Sequence, residues 1–307
     1  MQNLPFFWPT KTLIIDDNKY FLDEIQEMLN DNDSYIFFTN PREALEYLAN
    51  HTVPLDWYID TPISIEQGVA QYNINYDTIQ SIVSNKTRHQ LVSNIIVDYH
   101  MPSMSGIEFC KLAVKDKFLR KTLLTASLDY SQVIKNLNQQ TINGFIDKKD
   151  ISTNGLLKKH INIEQSKYFL QMARFIIETL TFDNPCSAVL SIEYYKIINK
   201  IIKELDIKEY YLLNKSGLYL MLGADYKEYY VFLFSEEDIQ EMSIEAQDQD
   251  LKKEVCLALN NKEQAICYYN QDNSSCWPEY REWEKYLFPL NNVLIESKNY
   301  YYSIVNK

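Results

Sequence analysis

The chain has 307 residues and a formal net charge of −12, a length that is typical of two domains. No run reaches the roughly 18 consecutive apolar residues of a membrane span, so we expect no membrane segment and a cytoplasmic protein. The five cysteines form no Cys-x-x-Cys pair, which argues against a disulfide framework and against a zinc site.

The first half of the chain alternates continuous apolar runs with helical patterns. The apolar runs cover 12–15, 93–97, 121–126 and 144–147, and the helical patterns cover 18–30, 40–50, 104–116 and 129–140. Continuous apolar runs are typical of parallel strands that are buried on both faces. The alternation therefore predicts a doubly wound α/β domain with a parallel sheet.

Polar side chains stand at the carboxyl end of each of these four predicted strands. They are Asp16 and Asp17, Asp98, Thr125, and Lys148. Open α/β sheets place their ligands at this edge, so we expect these side chains to lie close together. Carboxylates about 4 Å apart repel each other by about 4 kcal/mol per pair at an effective dielectric constant near 20. Such a cluster needs a cation or raised pKa values, and all-oxygen ligands suit Mg²⁺.

The same set of groups suits phosphoryl transfer. A carboxylate can act as a nucleophile and carry a phosphoryl group covalently. A metal ion, a lysine and a hydroxyl group can then stabilise the charge of the transferring phosphoryl group. The predicted cluster offers three carboxylates for that role, those of Asp16, Asp17 and Asp98.

This pattern resembles the receiver domain of two-component response regulators, over roughly residues 10–160. The resemblance implies a flavodoxin-like domain with five parallel strands, Mg²⁺ as cofactor, and a sensor histidine kinase or phosphotransfer protein as partner. It also implies a role for each site residue: Asp98 as phosphoacceptor, Asp16, Asp17, Asp98 and the backbone carbonyl of His100 as metal ligands, Lys148 as active-site lysine, and Thr125 and Phe145 as switch residues. Proline follows that lysine in many receivers, whereas Lys149 follows it here, so we expect the next loop to differ.

One segment departs from most receivers. Residues 51–92, between the second helix and the central strand, are about thirty residues longer than expected, and helical spacing predicts a helix over 75–91. The insert is either a surface elaboration or a surface for a partner or a dimer. Its layout is similar to long-insert receivers of bacterial regulators without a DNA-binding output, including ones associated with quorum sensing.

The predicted domain organisation has three parts. A receiver domain covers 1–160, a connecting helix covers 161–182, and an α+β output domain with an antiparallel sheet covers 183–307. The connecting helix is amphipathic, and it either packs against its own domains or contributes to a homodimer. Asp183-Asn184-Pro185 marks the predicted boundary.

The second half matches no output domain that its residues identify. The predicted elements are a helix over 188–205, a three-stranded meander over 209–213, 218–222 and 228–234, a helix in one or two pieces from Ser235 to about residue 259, and strands over 265–270 and 293–305. Its many aromatic residues either form the core of the sheet, line a ligand pocket, or form a protein interface.

Charge and motifs limit the function of the second half. Residues 181–307 contain 13 basic and 21 acidic residues, so nucleic acid is disfavoured as a partner. Signatures of cyclic-dinucleotide synthesis, phosphodiesterases and phosphate-binding loops are absent from the sequence, so we expect no enzyme beyond the self-phosphorylation of the receiver.

The sequence therefore predicts a bacterial response regulator whose phosphorylation controls dimerisation or a downstream protein or small ligand on the second domain. The alternative is a transcriptional or RNA-binding regulator with an unfamiliar output fold, in quorum-sensing signalling.

Overall fold

The structure is a computed structural model, and it describes residues 4–31, 33–51, 64–66, 69–71, 82–113, 118–126, 130–151, 155–174, 177, 188–225, 227–269 and 278–307. The chain divides into two compact units. The first unit comprises Trp8–Trp57 and Ile82–Arg174, and the second comprises Met1–Phe7, Tyr58–Ser81 and Phe175–Lys307.

A short strand of the second unit, β1 (Phe6–Phe7), precedes the first unit in the chain. The first unit then begins with β2 (Lys11–Ile15), α1 (Lys19–Leu29), β3 (Tyr35–Phe38) and α2 (Pro41–Asn50). The antiparallel pair β4 (Ser64–Glu66) and β5 (Val69–Gln71) comes next in the chain and belongs to the other unit. The first unit continues with β6 (Val92–Asp98), α3 (Gly106–Leu112), β7 (Arg120–Thr125), α4 (Tyr130–Asn138), β8 (Gly144–Asp147) and α5 (Leu156–Met172). A 3₁₀ helix at Lys86–Gln90 leads into β6.

The sheet of the first unit has the strand order β3-β2-β6-β7-β8, and all of its neighbouring strands are parallel. This is the doubly wound, flavodoxin-like arrangement of a receiver, so the predicted fold class is confirmed. Four of the five strands coincide with the apolar runs of the sequence. The fifth strand, β3, is a short edge strand that the predicted apolar runs do not include.

Helices cover both faces of this sheet because its buried strands alternate their side chains between two cores. Leu13 and Ile15 pack in one core with residues of α2, α3 and α4. Ile14, between them, packs in the other core with residues of α1 and α5. Consecutive apolar residues at positions 13–15 of β2 therefore satisfy both layers.

The helices that follow the strands begin at capping residues. Asn18 caps α1, where its side chain accepts a hydrogen bond from the Phe21 N–H. Asn40 caps α2 in the same way, and Pro41 occupies the first helical position. Ser105 caps α3 by accepting from the Glu108 N–H. These caps fix where each strand-to-helix loop ends, and so they fix the carboxyl edge of the sheet.

The insert is described only in part. Residues 82–84 are helical and the 3₁₀ helix follows, whereas residues 75–81 of the expected helix lie outside the described residues. Whether the insert is a surface elaboration or a partner surface stays a prediction.

The second unit is an α+β unit with an antiparallel sheet, as predicted. After a 3₁₀ turn at Ala188–Leu190, its elements are α6 (Ile192–Glu204), β9 (Ile207–Leu212), β10 (Tyr219–Gly223), β11 (Glu228–Ser235), α7 (Glu236–Asp248), α8 (Lys253–Asn260), β12 (Gln264–Ile266), a 3₁₀ helix (Tyr280–Tyr286), β13 (Leu287–Pro289), β14 (Asn291–Ile295) and β15 (Lys298–Asn306). The six-stranded sheet has the order β1-β9-β10-β11-β15-β14, and β12 pairs separately with β13.

The strand β1 joins the sheet of the second unit at β9, with Phe6 opposite Tyr211. Phe6 is buried there, whereas Trp8, two residues later, is buried in the first unit against the ring of Phe169. The first residues therefore do not all belong to the receiver-type unit. The sequence prediction placed them there.

The segment predicted as a connecting helix begins inside the first unit. Residues 161–172 belong to α5, where Tyr168 and Phe169 are buried. The predicted boundary at 183–185 lies outside the described residues. Among the described helices, none is long and apolar enough to cross a membrane.

Candidate functional site

The carboxyl edge of the parallel sheet carries the side chains that the sequence predicted to meet. Asp16 directly follows β2, and Asp98 is the last residue of β6. Thr125 is the last residue of β7, and Lys148 directly follows β8. The parallel registers put all four strand ends on one side of the unit.

The three acidic side chains form one cluster. Carboxylate oxygens of Asp16, Asp17 and Asp98 lie within 4.8 Å of one another. Asp16 and Asp98 are buried, whereas Asp17 is exposed. The cluster therefore has two fixed carboxylates beneath a third that faces solvent.

Lys148 bridges the two buried acids. Its ammonium nitrogen lies 2.7 Å from Oδ2 of Asp16 and 2.8 Å from Oδ1 of Asp98. Burial raises the pKa of the Asp16 carboxyl, although hydrogen bonds from Lys148 and Asn18 act in the opposite direction. Burial by itself would lower the pKa of Lys148, but its hydrogen bonds and charge interactions with Asp16 and Asp98 outweigh burial and raise the pKa.

The backbone orients both buried carboxylates. The Asn18 N–H donates to Oδ1 of Asp16 at 3.0 Å, and the His100 N–H donates to Oδ2 of Asp98 at 3.2 Å. The turn after β6 is held by the Tyr99 N–H, which donates to the Leu124 carbonyl at 2.8 Å. Each acid is therefore positioned by the first residues of the loop that follows it.

Gly106 closes this turn from the other side. Its N–H donates to the Tyr99 carbonyl at 3.0 Å, and a Cβ atom at this position would overlap the backbone oxygen of Asp98. The chain can approach the phosphoacceptor candidate this closely only because position 106 has no side chain.

The chemistry of the cluster fits Mg²⁺. Among the described residues, Lys148 pairs with two of the three clustered carboxylates, those of Asp16 and Asp98, which leaves negative charge that a small hard cation would compensate. Asp16, Asp17 and Asp98 are the residues that would hold the ion. At His100 the structure shows the backbone N–H on Asp98, and the role of its carbonyl as a metal ligand stays a prediction.

The two switch candidates differ in exposure. Thr125 is buried at the end of β7, whereas the Phe145 side chain is 37% exposed on β8. A buried hydroxyl beside the site and a partly exposed ring on the neighbouring strand suit coupled movement. Their switching roles stay predictions.

The loop after Lys148 is a capped turn. Lys148–Asp150 form a 3₁₀ helix, and the Lys149 N–H donates to Oδ1 of Asp147 at 2.9 Å. Lys148 thus begins a capped 3₁₀ turn in which Lys149, rather than a proline, is the next residue. The structure also shows a contact that sequence reasoning missed: the Lys148 ammonium lies 4.7 Å from the centre of the Phe21 ring. Phe21 lies within the helical pattern of residues 18–30, and its spacing there does not reveal a contact with Lys148.

No family model and no curated protein sequence matches the chain. Among solved structures, the response regulator LqsR of Legionella pneumophila matches 99% of this chain and 89% of its own, with a TM-score of 0.76 and 25% sequence identity. This chain is a response regulator with a receiver domain.

The response regulator is also similar to isolated receiver domains. A CheY-like receiver of Methanospirillum hungatei covers 52% of this chain and 95% of its own, with 17% identity and a TM-score of 0.34. The chemotaxis protein CheY4 of Vibrio cholerae covers 50% and 97%, with 19% identity and a TM-score of 0.31. The match with LqsR, by contrast, extends over both units of the response regulator.

Proposed function

We propose that this response regulator belongs to a bacterial two-component system and accepts a phosphoryl group on Asp98 from a sensor histidine kinase or phosphotransfer protein in the cytoplasm. The observation that carries the proposal is the buried Asp98 carboxylate, 2.8 Å from the Lys148 ammonium and within 4.8 Å of the carboxylates of Asp16 and Asp17. Nucleophile, cation and metal-binding acids thus meet at the edge of the sheet where such folds bind ligands.

The transfer is a single displacement at phosphorus. A carboxylate oxygen of Asp98 forms a bond to phosphorus as the bond from phosphorus to the donor's histidine nitrogen breaks. The Lys148 ammonium, already beside Asp98, would stabilise the phosphoryl oxygens. Mg²⁺ held by Asp16, Asp17 and Asp98 would supply further positive charge to the same oxygens.

Phosphorylation would then change the surface of the receiver. The phosphoryl group adds about 1.5–2 negative charges, which would draw the Thr125 hydroxyl and leave room for Phe145 to move inward. Because β7 and β8 are neighbours, this change reaches the outer face of β8 and its flanking helices. The expected result is altered homodimerisation, or altered binding of a downstream protein or small ligand by the second unit.

Acetyl phosphate with Mg²⁺ tests the proposal on the full chain. Intact mass spectrometry should show one added phosphoryl group in the wild type and none in Asp98→Ala. Beryllofluoride mimics a phosphoryl group on an aspartate. Sedimentation of the protein with and without beryllofluoride should show whether phosphorylation changes the oligomeric state. Absence of the added mass in the wild type, under conditions that phosphorylate a known receiver, would reject Asp98 as a phosphoacceptor.

Nucleic acid is a poor candidate for the output partner. The excess of acidic over basic residues in residues 181–307 disfavours the phosphate contacts that binding of nucleic acid needs. A filter-binding assay at low salt tests this expectation. We expect no retention of DNA or RNA, and retention would contradict the proposed output.

A further inference from the structure

We propose that the second unit contains a binding site for a small planar aromatic anion, of the aromatic carboxylate class. The site is a cavity of about 500 Å³, with β11 and β15 on one side and residues around the β12–β13 pair on the other. The proposal deepens the output part of the proposed function, but it does not depend on phosphorylation of Asp98.

The cavity is a cleft that is open to solvent, and its volume is that of a small-molecule site. Pockets of about 300–1,000 Å³ are typical of such sites. Its position between a sheet face and a separate strand pair lets two walls enclose a flat ligand.

The walls are aromatic. Tyr230 and Phe232 stand two residues apart on β11, so they share one face of the sheet, and Val305 is the cross-strand partner of Tyr230. Tyr286 and Phe288 line the opposite side. Aromatic walls on both sides favour a planar ring system, which stacks or packs edge-on against such side chains.

Two rings of the lining already pack together. The rings of Tyr230 and Tyr269 are 5.7 Å apart at an interplanar angle of 35°. The Cys267 N–H donates to the Tyr286 carbonyl at 2.8 Å, which ties the segment after β12 to the end of the 3₁₀ helix. The walls are therefore held by the fold rather than by the ligand.

The polar part of the lining is cationic. Lys285 and Lys307 line the cavity together with Asn306, and among the described lining residues there is no carboxylate. Burial raises the pKa of the Cys267 thiol to about 12, and burial also raises the pKa of Tyr230 to about 12. Both groups are neutral near pH 7, so the two ammonium groups determine the charge that the ligand meets.

The present partners of these lysines can be displaced at little cost. Lys285 pairs with Glu282 at 2.7 Å, and Lys307 pairs with Glu228 at 3.4 Å, with both lysine side chains more than 60% exposed. Exposed pairs of this kind contribute about 0–1 kcal/mol. An anionic group on a ligand whose ring is already buried in the cavity would therefore compete well for the ammonium groups.

Two matched probes test the proposal by isothermal titration calorimetry on the full-length, unphosphorylated protein: 2-naphthoate and its neutral analogue 2-naphthalenemethanol. We expect 2-naphthoate to bind at least about tenfold more tightly than the alcohol, because only its carboxylate can form a charge-assisted hydrogen bond with the ammonium groups. The double variant Lys285→Ala/Lys307→Ala should remove that advantage and leave the affinity for the alcohol unchanged.

The controls separate charge from fold. Lys208→Ala/Lys252→Ala removes two exposed, ion-paired lysines of the same unit that are not among the described lining residues of the cavity, and it should leave binding unchanged. Val305→Phe should fill the cavity and weaken both probes. Asp98→Ala should bind 2-naphthoate like the wild type, so a failure of phosphorylation does not affect this test.

Three outcomes would overturn the proposal. They are no heat of binding for 2-naphthoate up to about 1 mM, equal affinity for the acid and the alcohol, or the same loss of affinity in both lysine double variants.

Discussion

Lys148 places its ammonium nitrogen 2.8 Å from Oδ1 of Asp98, and the same nitrogen lies 2.7 Å from Oδ2 of Asp16. The lysine thus occupies the side of the acidic cluster where a phosphoryl group on Asp98 would need positive charge. A cation held by the cluster would have to share these carboxylate oxygens with the lysine.

Replacing this lysine should separate metal binding from phosphorylation. In Lys148→Gln the carboxylates of Asp16 and Asp98 lose their countercharge, so Mg²⁺ should bind about tenfold more tightly than in the wild type. Phosphorylation by acetyl phosphate should become at least about tenfold slower, because the transferring phosphoryl group loses the ammonium. Calorimetric titration with MgCl₂ and timed intact mass spectra measure the two effects.

The neighbouring lysine is the matched control for that experiment. Lys149 is exposed, and Lys149→Gln should change neither the metal affinity nor the rate by more than about twofold. Weaker Mg²⁺ binding in Lys148→Gln than in the wild type would contradict the competition between lysine and metal.

Gly106 should be far less tolerant of a methyl group than another glycine of the same unit. Gly106→Ala would press a Cβ atom against the backbone oxygen of Asp98, and it should lower the free energy of unfolding by about 1–3 kcal/mol or more. It should also slow phosphorylation, since the turn that positions Asp98 must shift. Urea unfolding and the mass assay report these changes.

Gly144→Ala provides the comparison. Its Cβ atom would lie 3.5 Å from the His160 ring, which is an ordinary contact distance. We expect Gly144→Ala to change the free energy of unfolding by no more than about 0.5 kcal/mol, as for most substitutions without such a clash. Equal effects of the two substitutions would show that the approach of Gly106 to Asp98 is not tight.

Stability of the first unit should fall as pH decreases below about 6.5 because of His160. Burial lowers the pKa of this imidazole from its usual 6.5; the nearby Glu164 raises the pKa, and Lys167 and Arg120 lower it. The unfolded chain therefore takes up a proton at a higher pH than the folded chain. Protonation favours unfolding until the folded imidazole itself titrates, with a slope of at most about 1.4 kcal/mol per pH unit.

His160→Gln should remove that slope. The Nε2 atom of His160 lies 3.0 Å from the Thr122 hydroxyl, and a glutamine amide can make a similar bond. Urea unfolding between about pH 5.5 and 7.5 measures the difference, and His89→Gln, which retains His160, should keep the slope. An unchanged slope in His160→Gln would assign the pH dependence to other groups.

The strand β1 should contribute to the stability of the second unit from far along the chain. Phe6 is fully buried, and the Leu212 N–H donates to the Pro5 carbonyl. Phe6→Ala should lower the free energy of unfolding by about 3–5 kcal/mol and should speed amide exchange in β9. Hydrogen exchange followed by mass spectrometry resolves this strand.

Phe7→Ala is the control on the adjacent residue. Phe7 is half-buried, and its ring stacks on Tyr210 with 5.9 Å between centroids. Phe7→Ala should lower the free energy of unfolding by only about 0.5–1.5 kcal/mol, as expected for a single aromatic pair. If both substitutions change exchange in β9 equally, burial of Phe6 does not hold the strand.

The sequence predicted the parallel sheet because β2, β6, β7 and β8 each contain consecutive apolar residues, such as Leu13–Ile15 in β2 and Ile95–Val97 in β6. This pattern marks a buried parallel strand without knowledge of its neighbours. The same runs placed Asp16, Asp98, Thr125 and Lys148 at strand ends, and the topology then brings those ends together.

The elements that the sequence did not reveal depend on distant partners. The edge strand β3 is short and only partly buried, so its pattern differs little from that of a loop. The strand β1 has two residues and pairs with Tyr210 and Tyr211, about two hundred positions away, so no local periodicity identifies it. The contact of Lys148 with Phe21 likewise arises only when β8 and α1 meet.

The most direct test of the account is to map the phosphoryl group to a residue. After reaction with acetyl phosphate and Mg²⁺, borohydride reduction converts an aspartyl phosphate to homoserine, which peptide mass spectrometry locates. We expect modification at Asp98 in the wild type and none at Asp16 or Asp17. Modification of Asp16 or Asp17 with Asp98 unmodified, or of no aspartate at all, would contradict this expectation.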